Sequence, residues 1–329
     1  MPTTKDVVTF QSHLVDHERR HPEATGALSW ILMAVQTSAK MISAKIRRAR
    51  LENVLGALES SNVQGETQQK LDVIADRIMR VNIGEKEPVA ILGSEEQEDV
   101  HALRMEAGGE RRYNVLFDPL DGSSNLDVCG AVGTIFSVLR HDRRALDPVK
   151  SVLQPGTKQV AAGYVLYGSS TVLVYSAGDG VHVFELDPQV GSFFRVTENL
   201  EIPKSGKIYS LNEGNRKSMP KGYQDYLDWA QSNGYSSRYI GAMVADVHRT
   251  LLKGGVFLYP PTTKDPNGKL RLLYEVNPMS MLIEQAGGKA MSGHGRAMDV
   301  VPTSLHQRVP IVLGSPSEVD HVMDHVRGA

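Results

Sequence analysis

A chain of 329 residues with 41% apolar and 22% charged side chains can bury a large core, here expected as two domains sharing an interface. A formal net charge of −2 gives no electrostatic case for nucleic acid or an anionic membrane surface. No run approaches the roughly 18 uncharged apolar residues of a membrane span, and the N-terminal stretch lacks a signal core, so a cytoplasmic protein is expected. The single cysteine, Cys129, excludes an intramolecular disulfide and a Cys-rich zinc site. Its apolar neighbours predict a core thiol, and Ile135 stands where a Cys-x5-Arg phosphatase loop needs arginine.

Near the start, His17-Glu18-Arg19-Arg20-His21 satisfies the HExxH zinc-peptidase pattern, which needs both histidines on one helical face. Pro22 disfavours helical backbone at His21, the flanks show no amphipathic pattern, and no third ligand suggests itself. A solvated charged segment is predicted. From Thr25, a plausible N-cap, Leu28, Ile31, Leu32, Val35, Ala39, Ile42 and Ile46 form one apolar helical stripe. The free amides at its start are suited to a phosphate. A second helix buries Leu71, Ile74, Ile78 and Val81, with Asp72 off that stripe. Val89–Leu92 reads as a strand that ends at Gly93 and delivers Ser94-Glu95-Glu96.

The next apolar run ends in Phe117 and is expected to stop at Pro119. Three β-rich runs, Val160–Tyr167, Thr171–Ser176 and Val181–Leu186, follow as an antiparallel meander. Gln189–Pro203, with its Gly, Ser and Pro punctuation, is taken as the domain boundary, which gives units of 1–195 and 196–329. Beyond it come a strand at Lys207–Leu211, helices at Tyr223–Ser232 and Met243–Leu252, and a strand at Val256–Tyr259. Leu270–Tyr274 reads as a strand ending at Glu275. Asn277-Pro278 opens a helix closed by Gly287-Gly288, and a strand at Val309–Leu313 and a helix from Ser317 finish the pattern.

The chemistry concentrates at Phe117-Asp118-Pro119-Leu120-Asp121-Gly122-Ser123-Ser124-Asn125. Two carboxylates with an intervening backbone carbonyl suit a hard divalent cation, and the Gly-Ser-Ser amides and hydroxyls suit a phosphate. Glu95 and Glu275 also end predicted strands, and acids that converge without cations would repel one another. Metal-assisted phosphoryl chemistry is the expectation. There is no Walker A loop, no GxGxxG after a strand, and no DxD of the haloacid type.

This segment, together with KLDV at Lys70–Val73, SEE at Ser94–Glu96 and KLRLLYE at Lys269–Glu275, resembles the class I fructose-1,6-bisphosphatase family. The likeness runs from about Thr25 to about Ser315 with the motifs in the family's order. It implies a mixed α/β, two-domain layered α-β-α-β-α sugar phosphatase fold, assembled as a homotetramer. It implies hydrolysis of the 1-phosphate of D-fructose 1,6-bisphosphate by metal-activated water, in gluconeogenesis or a carbon-fixation cycle. Glu95, Asp118, the Leu120 carbonyl, Asp121 and Glu275 would bind two or three magnesium ions, with manganese able to substitute. Asp72 and Glu96 would orient and deprotonate the attacking water. Asp121, Gly122, Ser123 and Ser124 would surround the 1-phosphate; Asn212, Tyr239, Tyr259 and Lys269 would hold the sugar and the 6-phosphate, with Arg238 reaching into a neighbouring subunit. Thr25, Gly26, Leu28, Ser29, Arg112, Tyr113 and Arg140 would form a pocket for the inhibitor AMP.

Three departures accompany the resemblance. Asn215 replaces the tyrosine of animal members beside the 6-phosphate, Ala27 replaces their glutamate in the AMP pocket, and the cysteine-bearing insertion of the light-regulated plastid enzymes is missing. Sedoheptulose bisphosphatase is the alternative within the class; a silent metal- or AMP-binding regulator and a zinc peptidase lie outside it.

Overall fold

Two sheets organise the chain, and helices shared between them set the layering. The computed structural model describes residues 7–21, 25–61, 67–105 and 112–328. Helices α1 (Phe10–Arg20) and α2 (Ala27–Arg47) come first, then a hairpin of β1 (Ala57–Ser61) and β2 (Thr67–Gln69), then α3 (Lys70–Gly84). Next come β3 (Val89–Ser94), β4 (His101–Ala102), β5 (Tyr113–Asp121) and β6 (Val132–Arg140), a short helix α4 (Pro148–Val152), and the meander β7 (Gln159–Tyr167), β8 (Thr171–Ser176), β9 (His182–Asp187) and β10 (Ser192–Thr197). These eight strands pair in the order β10-β9-β8-β7-β6-β5-β3-β4, with β3 parallel to β5 and the other pairs antiparallel.

The rest of the chain gives β11 (Ile208–Ser210), α5 (Lys221–Ser232), β12 (Ser236–Ser237), α6 (Met243–Lys253), β13 (Val256–Tyr259) and β14 (Leu270–Arg271). It closes with α7 (Asn277–Gln285), β15 (Lys289–Ser292), β16 (Gly295–Arg296), β17 (Arg308–Val309), β18 (Ile311–Gly314) and α8 (Pro316–Arg327). Six strands form a second sheet in the order β12-β11-β13-β18-β15-β16, and β14 pairs with β17 in a separate ribbon.

Alternation along the strands decides what lies between the sheets. On β6 and β7, Phe136, Val138 and Val165 point into a core shared with α2 and α3, including Ile31, Val35 and Met79. Their neighbours Ile135 and Tyr164 point the other way, into a core with Val244 and Val247 of α6 and Met279 and Leu282 of α7. That second core also takes Phe257, Ile311 and Leu313 from the six-stranded sheet. The opposite face of this sheet, Leu258 and Val312, packs on Tyr226 and Leu227 of α5 and Val319 and Val322 of α8. The result is the expected α-β-α-β-α layering, with both sheets covered on both faces.

Several local expectations are corrected. The N-terminal segment is a helix, with Thr9 Oγ1 capping it by accepting from Ser12 N at 3.1 Å. Its buried stripe is Phe10, His13 and Leu14, so a histidine occupies a core position that polarity rules count as exposed. Phe10 meets Tyr175 and Phe184 edge-on at 5.2 and 5.0 Å, and His13 lies 4.5 Å from the His182 ring. The helix ends at Arg20 with His21 outside it; Pro22 falls beyond the described residues.

The N-cap of α2 is Gly26, at φ +75, rather than Thr25. Pro119 does not stop β5, because the pairing with β6 shifts register between Asp118 and Asp121 and so needs no proline N–H. Cys129 is exposed at φ +58, closing a short 3-10 turn at Ser123–Val128; apolar sequence neighbours do not bury a residue at a chain reversal. Glu275 lies in a π-helical turn, Leu272–Val276, rather than at a strand end.

Candidate active site

The carboxylates are delivered by three different backbone devices. Glu95 leaves the end of β3, where its amide donates to Phe117 O at 3.0 Å and so keys the loop to β5. Beyond it, Gln97 Nε2 donates to Asp76 Oδ2 on α3 at 3.0 Å, and His306 Nε2 donates to Gln97 O at 3.0 Å. Asp118 and Asp121 flank the bulge of β5. Asp118 Oδ1 accepts from Leu120 N at 2.9 Å, and Thr134 Oγ1 donates to Pro119 O at 2.8 Å. Asp121 Oδ2 accepts from Val244 N at 2.8 Å, so the Asp121 turn is fastened to the N-terminus of α6, where helix amides lack partners. Glu275 is brought inward by the wider π turn, a distortion frequent at functional sites, and its Oε2 accepts from Arg271 N at 2.6 Å.

One oxygen each from Asp118, Asp121 and Glu275 lies within 4.8 Å of the others. Arg271 pairs with Glu95 and comes within 3.8 Å of Glu275. Burial, followed by the charges of Glu95, Asp121 and Glu275, pushes the Asp118 carboxyl far above the usual range. Burial does the same to Glu95 against the opposing pull of Arg271. Asp121 is pushed up to about 7 by desolvation and then by Glu275. One guanidinium does not neutralise this set. An all-oxygen group of mutually repelling carboxylates fits a hard divalent cation.

The cluster forms one wall of a cavity of about 570 Å³. Glu96, the Leu120 backbone, Gly122, Ser123 and Ser124 line the same side. Asn212, Tyr239 and Tyr259, which follow or end strands β11, β12 and β13 of the second sheet, also line the cavity, as does Lys269 just before β14. Gly122, at φ +74, is required by contact: a Cβ there would sit 2.4 Å from Ala242 Cβ.

Two expected residues are not on this wall. Asp72 is buried at the start of α3, where its Oδ2 accepts from Gln69 N at 2.8 Å. Arg238 is exposed and donates to Ser237 O at 2.8 Å. The residues expected around AMP are brought together only in part. Leu28 packs into the core that holds Tyr113, and Arg140 lies 5.9 Å over the Tyr113 ring. Arg112, however, is paired with Glu87 at 2.9 Å. The HExxH histidines also fail to converge on a site: their rings stack 4.4 Å apart, and His21 Nδ1 donates to His17 O.

Sequence reasoning missed Arg271 and Asp246 as members of the cavity wall. Arg271 stands inside KLRLLYE, where its charge among apolar residues was the available signal. Asp246 gives no such signal, since an acid in the first turn of a helix is ordinary.

Fold and cavity define a layered α/β phosphatase-like protein with a carboxylate site suited to divalent metal. Residues 8–198 match the family model described as fructose-1-6-bisphosphatase, N-terminal domain, and residues 202–327 match that of the C-terminal domain. The chain belongs to the fructose-1,6-bisphosphatase family. Among solved structures it is similar to Leishmania major fructose-1,6-bisphosphatase in holo form, with 41% identity over 99% of this chain and 100% of that one and a TM-score of 0.91. The apo form of the same enzyme matches at 39% identity over 98% and 99%, with a TM-score of 0.86. Its T-state matches at 39% identity over 100% of both chains, with a TM-score of 0.87.

Proposed function

We propose that this chain hydrolyses the 1-phosphate of D-fructose 1,6-bisphosphate, giving fructose 6-phosphate and phosphate. The observation that carries this reading is the convergence of Asp118, Asp121 and Glu275 within 4.8 Å, on a cavity also lined by Asn212, Tyr239, Tyr259 and Lys269. Glu95, Asp118, the Leu120 carbonyl, Asp121 and Glu275 are the proposed ligands for two or three magnesium ions. Divalent cations held there would lower the pKa of water and neutralise charge on the transferring phosphoryl group. Ser123 and Ser124 hold the 1-phosphate with hydroxyls and amides, next to the αL turn at Gly122 that brings the backbone close. Lys269 and the two tyrosines hold the 6-phosphate and sugar, which fixes the 1-phosphate for in-line attack by water. The water oxygen bonds to phosphorus as the bond from phosphorus to the sugar C1 oxygen breaks; Glu96, which lines the cavity, accepts the proton of the water, and the C1 alkoxide takes up a proton from solvent to leave as the C1 hydroxyl. Asp72, whose Oδ2 is held by the Gln69 amide, would help to orient the attacking water.

The same reading places Arg238 at the 6-phosphate of a neighbouring subunit in a homotetramer, consistent with its exposure outside the cavity. It divides the chain into units near residue 195, keeps AMP as an inhibitor at the start of α2, and puts the enzyme in the cytoplasm. The T-state of the Leishmania enzyme supports a protein that switches between states. No helix among the described residues is long and apolar enough to cross a membrane. The test is phosphate release from fructose 1,6-bisphosphate and sedoheptulose bisphosphate, in excess EDTA and after restoring magnesium or manganese. Turnover of the fructose ester that vanishes in EDTA and returns with metal is expected. Full turnover in EDTA refutes the metal role, and a preference for the sedoheptulose ester refutes the substrate.

A further inference from the structure

The sugar side of the cavity comes from separate segments that the sequence does not tie together. Tyr239 sits on the loop 238–242, and Asn212 follows the end of β11 two residues after Ser210. The two segments meet at one side chain, Asp246, in the first turn of α6 and 1% exposed. Its Oδ1 accepts from Ser210 Oγ at 2.6 Å and from Ile240 N at 2.9 Å, and its Oδ2 accepts from Gly241 N at 3.0 Å. The amide of Ala242 faces the same carboxylate. The backbone amides can only donate and the Ser210 hydroxyl donates here, so both carboxylate oxygens are used as acceptors, against a burial that pushes the Asp246 carboxyl above the usual range.

The same helix turn also reaches the other wall. Two residues before Asp246, the Val244 amide donates to Asp121, and Ala242 abuts Gly122. The loop is otherwise lightly held: Arg238 N donates to Tyr209 O at 2.9 Å, and Tyr239 and Ile240 are 40% and 43% exposed. Glycine at 241, with φ +89, lets the backbone turn its amide toward the carboxylate.

We propose that Asp246 is a positioning residue for the sugar and 6-phosphate side of the substrate: its carboxylate clamps the Tyr239 loop to the end of β11 and sets the spacing of Tyr239 and Asn212 across the cavity. The role rests on the substrate placement proposed above. It acts on binding of the remote phosphate rather than on the carboxylates that surround the reacting one. Because both substrate and transition state carry that phosphate, losing the clamp costs uniform binding, which appears in KM more than in kcat.

The experiment compares Asp246→Asn, Ser210→Ala and Tyr239→Ala with wild type, measuring KM, kcat, the magnesium concentration for half-maximal activity, and Tm. Asp246→Asn keeps shape but turns an amide N–H toward backbone donors. Its KM for fructose 1,6-bisphosphate should rise about tenfold to a hundredfold, the range for a buried charge-assisted bond, with kcat and the magnesium requirement close to wild type. Ser210→Ala leaves the carboxylate and loop amides in place and should raise KM by a smaller factor; it carries the test if Asp246→Asn does not fold. A purely structural Asp246 would lower Tm and leave KM unmoved. If Tyr239→Ala raises KM while neither Asp246→Asn nor Ser210→Ala does, the positioning role is refuted and the substrate placement stands. If Tyr239→Ala also leaves KM unchanged, the substrate placement fails and the clamp with it.

Discussion

Gly122→Ala should disable the enzyme through geometry alone, with no ligand removed. Gly122 follows the clustered carboxylate Asp121 and holds φ +74, where a Cβ strains the backbone by roughly 1–2 kcal/mol. The new Cβ would meet Ala242 Cβ at 2.4 Å and Ala242 Cα at 3.1 Å. Neither neighbour is the movable end of a long side chain, so the turn and the start of α6 must part, and overpacking of this kind costs about 1–3 kcal/mol more. The Val244 amide then loses its 2.8 Å bond to Asp121, and the carboxylate drifts from Asp118 and Glu275. Gly178→Ala is the control: φ is +98 but nothing lies within 4 Å of its Cβ, so it carries backbone strain without a clash. Calorimetry and activity at graded magnesium should show the larger loss of Tm for Gly122→Ala, plus a raised magnesium requirement and a turnover reduced by at least about tenfold. Gly178→Ala should lose only stability. Equal loss of Tm in the two variants, or normal turnover in Gly122→Ala, would refute the claim that close approach to α6 sets the carboxylate geometry.

Asp121→Asn and Glu275→Gln should each lower turnover by roughly two decades or more, as loss of a charge partner for the transition state does. Asp121→Asn should also raise the Tm in excess chelator, because one of the mutually repelling carboxylates is gone; a lower Tm there counts against the stored repulsion. AMP should inhibit wild type despite Ala27 and should inhibit Arg140→Ala more weakly at fixed magnesium, and equal responses, or none in wild type at millimolar AMP, would leave the start of α2 as a capped helix only. Burial holds His13 down at about 3 and His248 at about 4, against 6.5 in the unfolded chain, so unfolded protein binds more protons throughout that window. The contribution of these two histidines is therefore full above about 6.5 and falls as pH drops toward 3, while the raised carboxyls of Glu95, Asp118 and Asp121 act in the opposite sense. The fall in urea midpoint from neutral to mildly acid pH should accordingly be shallower in His248→Gln than in wild type, and equal slopes would show that His248 is not held neutral.

Periodicity made much of the scaffold legible. The stripe from Leu28 to Ile46 is α2, Val256–Tyr259 is β13 to the residue, and the three predicted meander strands are β7, β8 and β9. Asp118 and Asp121 could be picked out because local spacing alone puts two acids beside a glycine and two hydroxyls. What escaped depends on partners distant in sequence. The stripe of α1 includes His13, which is apolar in effect only because His182 and Tyr175 cover it. Leu270–Tyr274 has the composition of a strand, yet β14 finds only Arg308 and Val309 to pair with, and the chain then tightens into the π turn that aims Glu275. The pairing of Arg112 with Glu87, twenty-five residues away in sequence, could not be read from the motif either. Asp246 is the extreme case, since its four donors come from Ser210 and from the loop that holds Ile240, Gly241 and Ala242.

The central place of β18 bears on how the enzyme is made. This strand lies between β13 and β15, with Ile311 paired to Tyr259, while Arg308 just before it pairs with Arg271. During synthesis Glu95, Asp118 and Asp121 leave the ribosome early, on an eight-stranded sheet whose strands are mostly sequence neighbours and can pair as they emerge. Glu275, the guanidinium that steadies it and the tyrosine wall cannot be set until Arg308–Gly314 has cleared the exit tunnel. A nascent chain thus carries most of its clustered carboxylates long before it can hydrolyse a sugar phosphate. One stalled upstream of β18 leaves the edge of β13 unpaired, a surface for chaperones or for aggregation.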